Sequence, residues 1–141
     1  MGAHMARNLH AAGLLTSVWN RTADKAATLA GELGIEAAPS PADLARNVDA
    51  VVLCVSADAD VLEVVTHIAR GVRPGTLVMD CSTVGADTAR KAHEMLHVRS
   101  AEFLDCPVSG GVEGARHAKL VVMVGGETDA FGRGQPVLAK M

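Results

Sequence analysis

The stretch AVVLCVSADADVLEVVTHIARGVRPGTLVMD, residues 50–80, decides how this chain folds. Residues 50–55 form a continuous apolar run rich in β-branched side chains, the pattern of a strand covered on both faces. Residues 58–70 change period: Val61, Val64, Val65 and Ile68 stand at i, i+3, i+4 and i+7, which draws an apolar stripe along one side of a helix. Asp58 and Asp60 suit the positive end of that helix and Arg70 its negative end, while Gly71 reads as the residue that stops it. Residues 76–80 return to a short apolar run. Strand, helix and strand in this order are a crossover unit, which joins parallel strands.

The alternation extends in both directions. Residues 14–20, 102–105 and 120–124 read as further strands. Helices are expected over 5–12, over 22–33 with Thr22 as cap and Gly34 as stop, and from Ser40-Pro41 with Asp43 in the first turn. Two more are expected over 87–98 and from Thr128 to the end, the last interrupted by Gly132, Gly134 and Pro136. With no repeat and no low-complexity linker, residues 1–141 make one α/β domain, a length at which roughly 70% of the unfolded surface can be buried. One feature is irregular. A sheet of this kind opens with a strand, yet this chain passes from Gly2 straight into a helical segment ended by Gly13.

Composition excludes several classes of function. Thirteen basic and sixteen acidic side chains give a net charge of −3 without any like-charge block, so no nucleic-acid or anionic-membrane surface is expected. Aromatic residues are only 2%, too few for base-stacking platforms. No apolar run reaches about 18 residues and no signal core follows the N-terminus, which points to a cytoplasmic protein. Cys54, Cys81 and Cys106 are odd in number, lack CxxC spacing and sit in apolar surroundings, as small hydrophobic residues do in a reducing compartment.

Several motifs occur in a fixed order: Met1-Gly2-Ala3-His4-Met5-Ala6-Arg7-Asn8-Leu9, Val18-Trp19-Asn20-Arg21-Thr22, Cys54-Val55-Ser56, Asp80-Cys81-Ser82-Thr83-Val84, Asp105-Cys106-Pro107-Val108-Ser109-Gly110-Gly111 and Met123-Val124-Gly125-Gly126. Together they resemble the β-hydroxyacid dehydrogenase family, which includes 3-hydroxyisobutyrate dehydrogenase, tartronate semialdehyde reductase and the glyoxylate/succinic semialdehyde reductases. The resemblance covers the whole chain. It implies a Rossmann-like, doubly wound and mainly parallel sheet with helices on both faces, here lacking its first strand. Cys106 for a usual Ala, Ala118 for a usual Gly and Ala86 for a common Pro loosen the subfamily assignment.

In that family the first strand leads into a turn of the form G-[LI]-G-x-M-G, of which Met1 and Gly2 look like the last two residues. Gly2, Ala3 and His4 would then open the helix whose free N–H groups face a pyrophosphate. After strand 14–20 an NAD site carries an acid for the ribose hydroxyls, but Asn20, Arg21 and Thr22 stand there, and Arg21 offers a charged planar fork for a 2′-phosphate. NADP is therefore expected over NAD. By resemblance Cys54, Val55, Ser56 and Thr83 line the nicotinamide half of the groove. Ser109, Gly110 and Gly111 resemble the turn that binds a substrate carboxylate, and two glycines permit a backbone nest for an anion. The blander readings are a helix cap for Thr22, a solvated turn for Arg21 and an unliganded strand-to-helix turn for Ser109-Gly110-Gly111.

The implied reaction is hydride transfer between the nicotinamide and a β-hydroxy acid or its semialdehyde. The family draws its catalytic lysine from a helix that would follow Met141, and neither Lys119 nor Lys140 has that lysine's context. No catalytic residue is assigned, and the chain alone is expected to be inactive, without the family's C-terminal helical domain. Alternatives are a non-catalytic nucleotide-binding or assembly module and a relative of the imine reductases. A second copy or a complementing segment would fill the missing strand. His93-Glu94-Met95-Leu96-His97 satisfies H-E-x-x-H, the zinc-protease pattern, but no third ligand follows at the required spacing, so no metal site is expected.

Overall fold

The computed structural model describes residues 1–141. Its elements in chain order are α1 (Gly2–Ala11), β1 (Ser17–Val18), α2 (Ala23–Leu33), β2 (Glu36–Ala37), α3 (Pro41–Arg46), β3 (Ala50–Leu53), α4 (Asp58–Gly71), β4 (Leu77–Asp80) and α5 (Ala86–His97). They are followed by β5 (Glu102–Asp105), β6 (Val108–Ser109), α6 (Gly111–Arg116), β7 (Val121–Val122) and α7 (Thr128–Leu138).

The decisive stretch folds as the crossover its pattern dictates. β3 pairs parallel with β4, Val51 opposite Val78, and β4 pairs parallel with β5, Val78 opposite Phe103. β4 is buried at every position, because both faces of this sheet are covered. On one face Val51, Leu53, Val78 and Phe103 pack with Val61, Val64, Val65 and Ile68 of α4 and with Ala92 and Leu96 of α5. On the other, Leu77, Met79 and Leu104 pack with Met5 and Leu9 of α1, Ala115 of α6, and Ala130 and Leu138 of α7. Alternate residues along each strand thus serve opposite layers, which is the doubly wound arrangement.

Several expectations need correction. The strand expected over 14–20 contracts to Ser17–Val18, and it pairs parallel with β2, which the sequence reading missed. The strand expected over 120–124 contracts to Val121–Val122 and runs antiparallel to β6, so it is no member of the parallel sheet. Gly71 does not stop α4. It is that helix's last residue, and a β-carbon there would lie 2.6 Å from the Ala42 carbonyl carbon, so the glycine serves the close crossing of α3 and α4.

The strands form separate groups, β1-β2, β3-β4-β5 and β6-β7. In the doubly wound order 3-2-1-4-5-6, β2 and β1 take the places 3 and 2, and β3, β4 and β5 take 4, 5 and 6. Between β1 and β3 a cleft of about 1170 Å³ opens. Its walls carry complementary backbone edges. The Leu77 N–H donates to Asp49 O and the Cys81 N–H to Leu53 O, so the odd-numbered residues of β3 bond β4 and the groups of Ala50 and Val52 face the cleft. Opposite them, Ala38 N–H donates to Val18 O, which turns the backbone groups of Ser17 and Trp19 toward the same space.

Candidate functional site

The carboxyl ends of β1 and β3 and the start of α1 meet at the mouth of this cleft. Gly2, Ala3, Asn20, Arg21, Thr22, Cys54, Val55 and Ser56 all line it. Residues far apart in the chain converge because parallel strands present all their carboxyl ends at one edge.

α1 begins at Gly2 with no side-chain cap on Met1 and no acid in its first turn, so neither a capping side chain nor a carboxylate competes for its leading N–H groups. A β-carbon on Gly2 would stand 3.7 Å from Cys54 Cβ, an ordinary contact. α1 is held in place on two sides: Arg7 Nε and Nη2 each donate to a Glu32 carboxylate oxygen of α2 at 2.7 Å, and Asn8 Nδ2 donates to Ala115 O at 2.6 Å. His4 lies in the first turn of α1, outside the cleft wall.

The turn after β1 is shaped by its own side chains. Asn20 Oδ1 accepts the Thr22 N–H at 2.9 Å, a local turn that presents Arg21 outward. The Thr22 hydroxyl makes no cap bond with α2, although Thr22 occupies the cap position. Arg21 Nη1 donates to Asp60 Oδ1 of α4 at 2.9 Å. In sequence Asp60 shows only its fit to the helix dipole, since nothing local marks that α4 brings it across the cleft to Arg21.

At the end of β3 the Val55 N–H donates to Ser82 Oγ at 2.9 Å, and the Ser82 N–H donates to Asp80 Oδ1 at 2.9 Å, so the loops after β3 and β4 are tied together. Asp80 is fully buried and its Oδ2 has no partner. Burial pushes its carboxyl above the ordinary aspartate value, against the lowering by the Ser82 bonds. Asp58 is the opposite case: the Thr88 hydroxyl at 2.7 Å and the Gly85 N–H at 2.9 Å both donate to its Oδ2 and hold its carboxyl below the usual range. Thr83 is exposed on the loop after β4, outside the cleft wall.

The cysteines stand one position past the ends of β3, β4 and β5. Cys81 and Cys106 are buried and Cys54 partly so, and burial pushes all these thiols up, that of Cys106 to about 12. They behave as small apolar groups rather than nucleophiles. Ser109, Gly110 and Gly111 are exposed beyond β5, away from the cleft wall. Gly110 at φ 132° and Gly111 at φ 62° occupy backbone conformations that suit glycine, which explains the pair as a turn between β6 and α6. His93 and His97 stack on the exposed side of α5 with ring centroids 5.6 Å apart, and no group of three or more metal-ligating side chains assembles anywhere. No helix is long and apolar enough to cross a membrane.

Residues 1–141 match the family described as the NAD binding domain of 6-phosphogluconate dehydrogenase. The chain is 36% identical, over its whole length, to an NAD-dependent L-serine dehydrogenase of Pseudomonas aeruginosa, of which it covers 48%. Among solved structures it resembles Mycobacterium tuberculosis 3-hydroxyisobutyrate dehydrogenase with L-serine, at TM-score 0.94 and 34% identity, covering 100% of this chain and 48% of that one. It also resembles Psf3 in complex with NADP+ and 2-OPP, at TM-score 0.85 and 30% identity, covering 99% of this chain and 50% of that one. The chain spans about half the length of the curated relatives it matches.

Proposed function

The chain belongs to the family of the NAD-binding domain of 6-phosphogluconate dehydrogenase, and on that premise we propose that the carboxyl ends of its strands, at the mouth of the cleft, bind a nicotinamide dinucleotide, NADP in preference to NAD. The observation that carries this reading is the charge arrangement at the cleft mouth. An uncapped helix N-terminus and the Arg21 guanidinium line the same opening, and the end of β1 carries Asn20 where an NAD site has an acid. The residues present fit the group. Gly2 and Ala3, with His4 completing the turn, would hold the pyrophosphate on the first turn of α1. Arg21 would take the 2′-phosphate, with Asn20 and Thr22 beside it. Cys54, Val55, Ser56 and Thr83 would border the nicotinamide, the group that supplies or accepts hydride when bound. Ser109, Gly110 and Gly111 would take a substrate carboxylate.

The protein's reaction is then hydride exchange with a small β-hydroxy acid or its semialdehyde, in line with the oxidoreductases among its relatives. Such chemistry also needs a proton donor at the carbonyl oxygen. Neither Lys119 nor Lys140 lines the cleft, so the reading assigns this chain dinucleotide binding without turnover. The cleft wall includes Trp19, the chain's one tryptophan, which supplies the test. Titration with NADPH is expected to quench Trp19 emission with saturation, while succinic semialdehyde causes no loss of NADPH absorbance and 3-hydroxyisobutyrate with NADP+ causes no gain of it. Absence of saturable quenching would refute the binding reading, and steady turnover would refute the assignment of binding without turnover.

A further inference from the structure

We infer that Asp60 is a specificity-determining residue that opposes the 2′-phosphate and keeps the site open to NAD as well as NADP. The inference rests on the dinucleotide reading of the cleft. Asp60 stands in the first turn of α4, and Arg21 stands on the turn after β1; both line the cleft. Arg21 Nη1 reaches Asp60 Oδ1 at 2.9 Å, with the Arg21 side chain 74% exposed and that of Asp60 only 23%. The arginine is therefore the solvated partner and the carboxylate the more enclosed one. One guanidinium nitrogen serves this bond, and Nη2 and Nε are left to meet a ligand.

Two consequences follow from charge. A 2′-phosphate that pairs with Arg21 must approach a carboxylate already bonded to the same guanidinium, and like charges at such separations repel appreciably even near solvent. A ribose 2′-hydroxyl meets the reverse situation, because a carboxylate is the acceptor that NAD sites normally provide after the second strand. Here that carboxylate comes across the cleft from α4 instead of from Asn20. Asp58, two residues earlier, does not line the cleft, and its Oδ2 accepts from the Gly85 N–H and the Thr88 hydroxyl instead. Asp24 and Glu63 also line the cleft, but Asp60 alone contacts Arg21.

The test compares Asp60→Asn with the parent chain by equilibrium binding of NADP+ and NAD+. Asp87→Asn, which removes one charge on α5 away from the cleft wall, is the control. Asp60→Asn is expected to raise NADP+ affinity about three- to tenfold and leave NAD+ affinity equal or lower. Because the effect is electrostatic near the surface, about 0.5 M salt should shrink the difference. Asp87→Asn should leave the ratio of the two affinities unchanged. An unchanged ratio in Asp60→Asn, with helical circular dichroism intact, would overturn the inference. So would a weaker NADP+ affinity, which would make Asp60 a support for Arg21 and not its opponent. If the parent chain binds neither dinucleotide, the dinucleotide reading itself fails and this inference falls with it.

Discussion

Gly71, the last residue of α4, crosses Ala42 of α3 so closely that a β-carbon on residue 71 would lie 2.8 Å from the Ala42 Cα and 2.6 Å from its carbonyl carbon. Both atoms belong to backbone, and the crossing is backed by Ala45, Val64, Val65 and Ile68 in one buried cluster. α4 carries Asp60, so this contact also sets where one wall of the cleft stands.

Gly71→Ala places a steric cost against a propensity gain. Alanine favours a helix over glycine by about 1 kcal/mol, but overpacking costs typically about 1–3 kcal/mol, and the backbone of α3 yields less readily than a side chain. The expected outcome is net destabilisation of about 1–2 kcal/mol by urea unfolding. An equal or higher stability would show that the two helices separate freely.

Asp80 gives a pH dependence with a definite sign. Its carboxyl is raised in the folded chain above the ordinary value of 3.8, because burial disfavours the charge and Oδ2 has no donor. A raised carboxyl contributes stability fully present below pH 3.8 and lost as pH rises toward its folded value. Asp58, lowered by Thr88 and Gly85, acts in the opposite sense, so the comparison must isolate Asp80. Asp80→Asn keeps an acceptor for the Ser82 N–H and does not titrate. Urea midpoints measured from about pH 4 to about pH 7 should fall in the parent chain relative to Asp80→Asn. Parallel pH profiles would contradict the assignment.

Hydrogen exchange reads the cleft edge directly. The amides of Val51 and Leu53 lie against β4, whereas those of Ala50 and Val52 face the cleft. Exchange at Val52 is expected to run at least about tenfold faster than at Val51 and Leu53, its neighbours in the same strand. Equal protection along β3 would mean that the cleft edge is paired.

Arg21→Gln separates the two cofactors. Hydrogen bonds between charged groups contribute about 1.5–3 kcal/mol, so NADP+ affinity should fall about tenfold or more, with NAD+ affinity changed far less. An equal loss for both dinucleotides would place Arg21 away from the 2′ position.

The crossover unit was legible because its residues state two periods in succession, and the burial of Val61, Val64, Val65 and Ile68 follows that pattern. β2 and β6 were not legible, since Glu36–Ala37 and Val108–Ser109 have no alternation to read and owe their strand geometry to tertiary neighbours. The role of Gly71 is not visible in sequence, because a glycine after an apolar stripe looks the same whether it ends a helix or admits another backbone. At the site, the motifs named Gly2, Ala3, Asn20, Arg21, Thr22 and the 54–56 segment, and the cleft gathers them. Asp60 and the Asp80–Ser82–Val55 chain stayed hidden because they are made by contacts between loops of different strands.

Calorimetric titration of the full chain with NADP+ and NAD+ side by side is expected to show saturable binding of one dinucleotide per chain, with NADP+ the tighter of the two. No heat of binding from either dinucleotide, or a tighter NAD+, would contradict it.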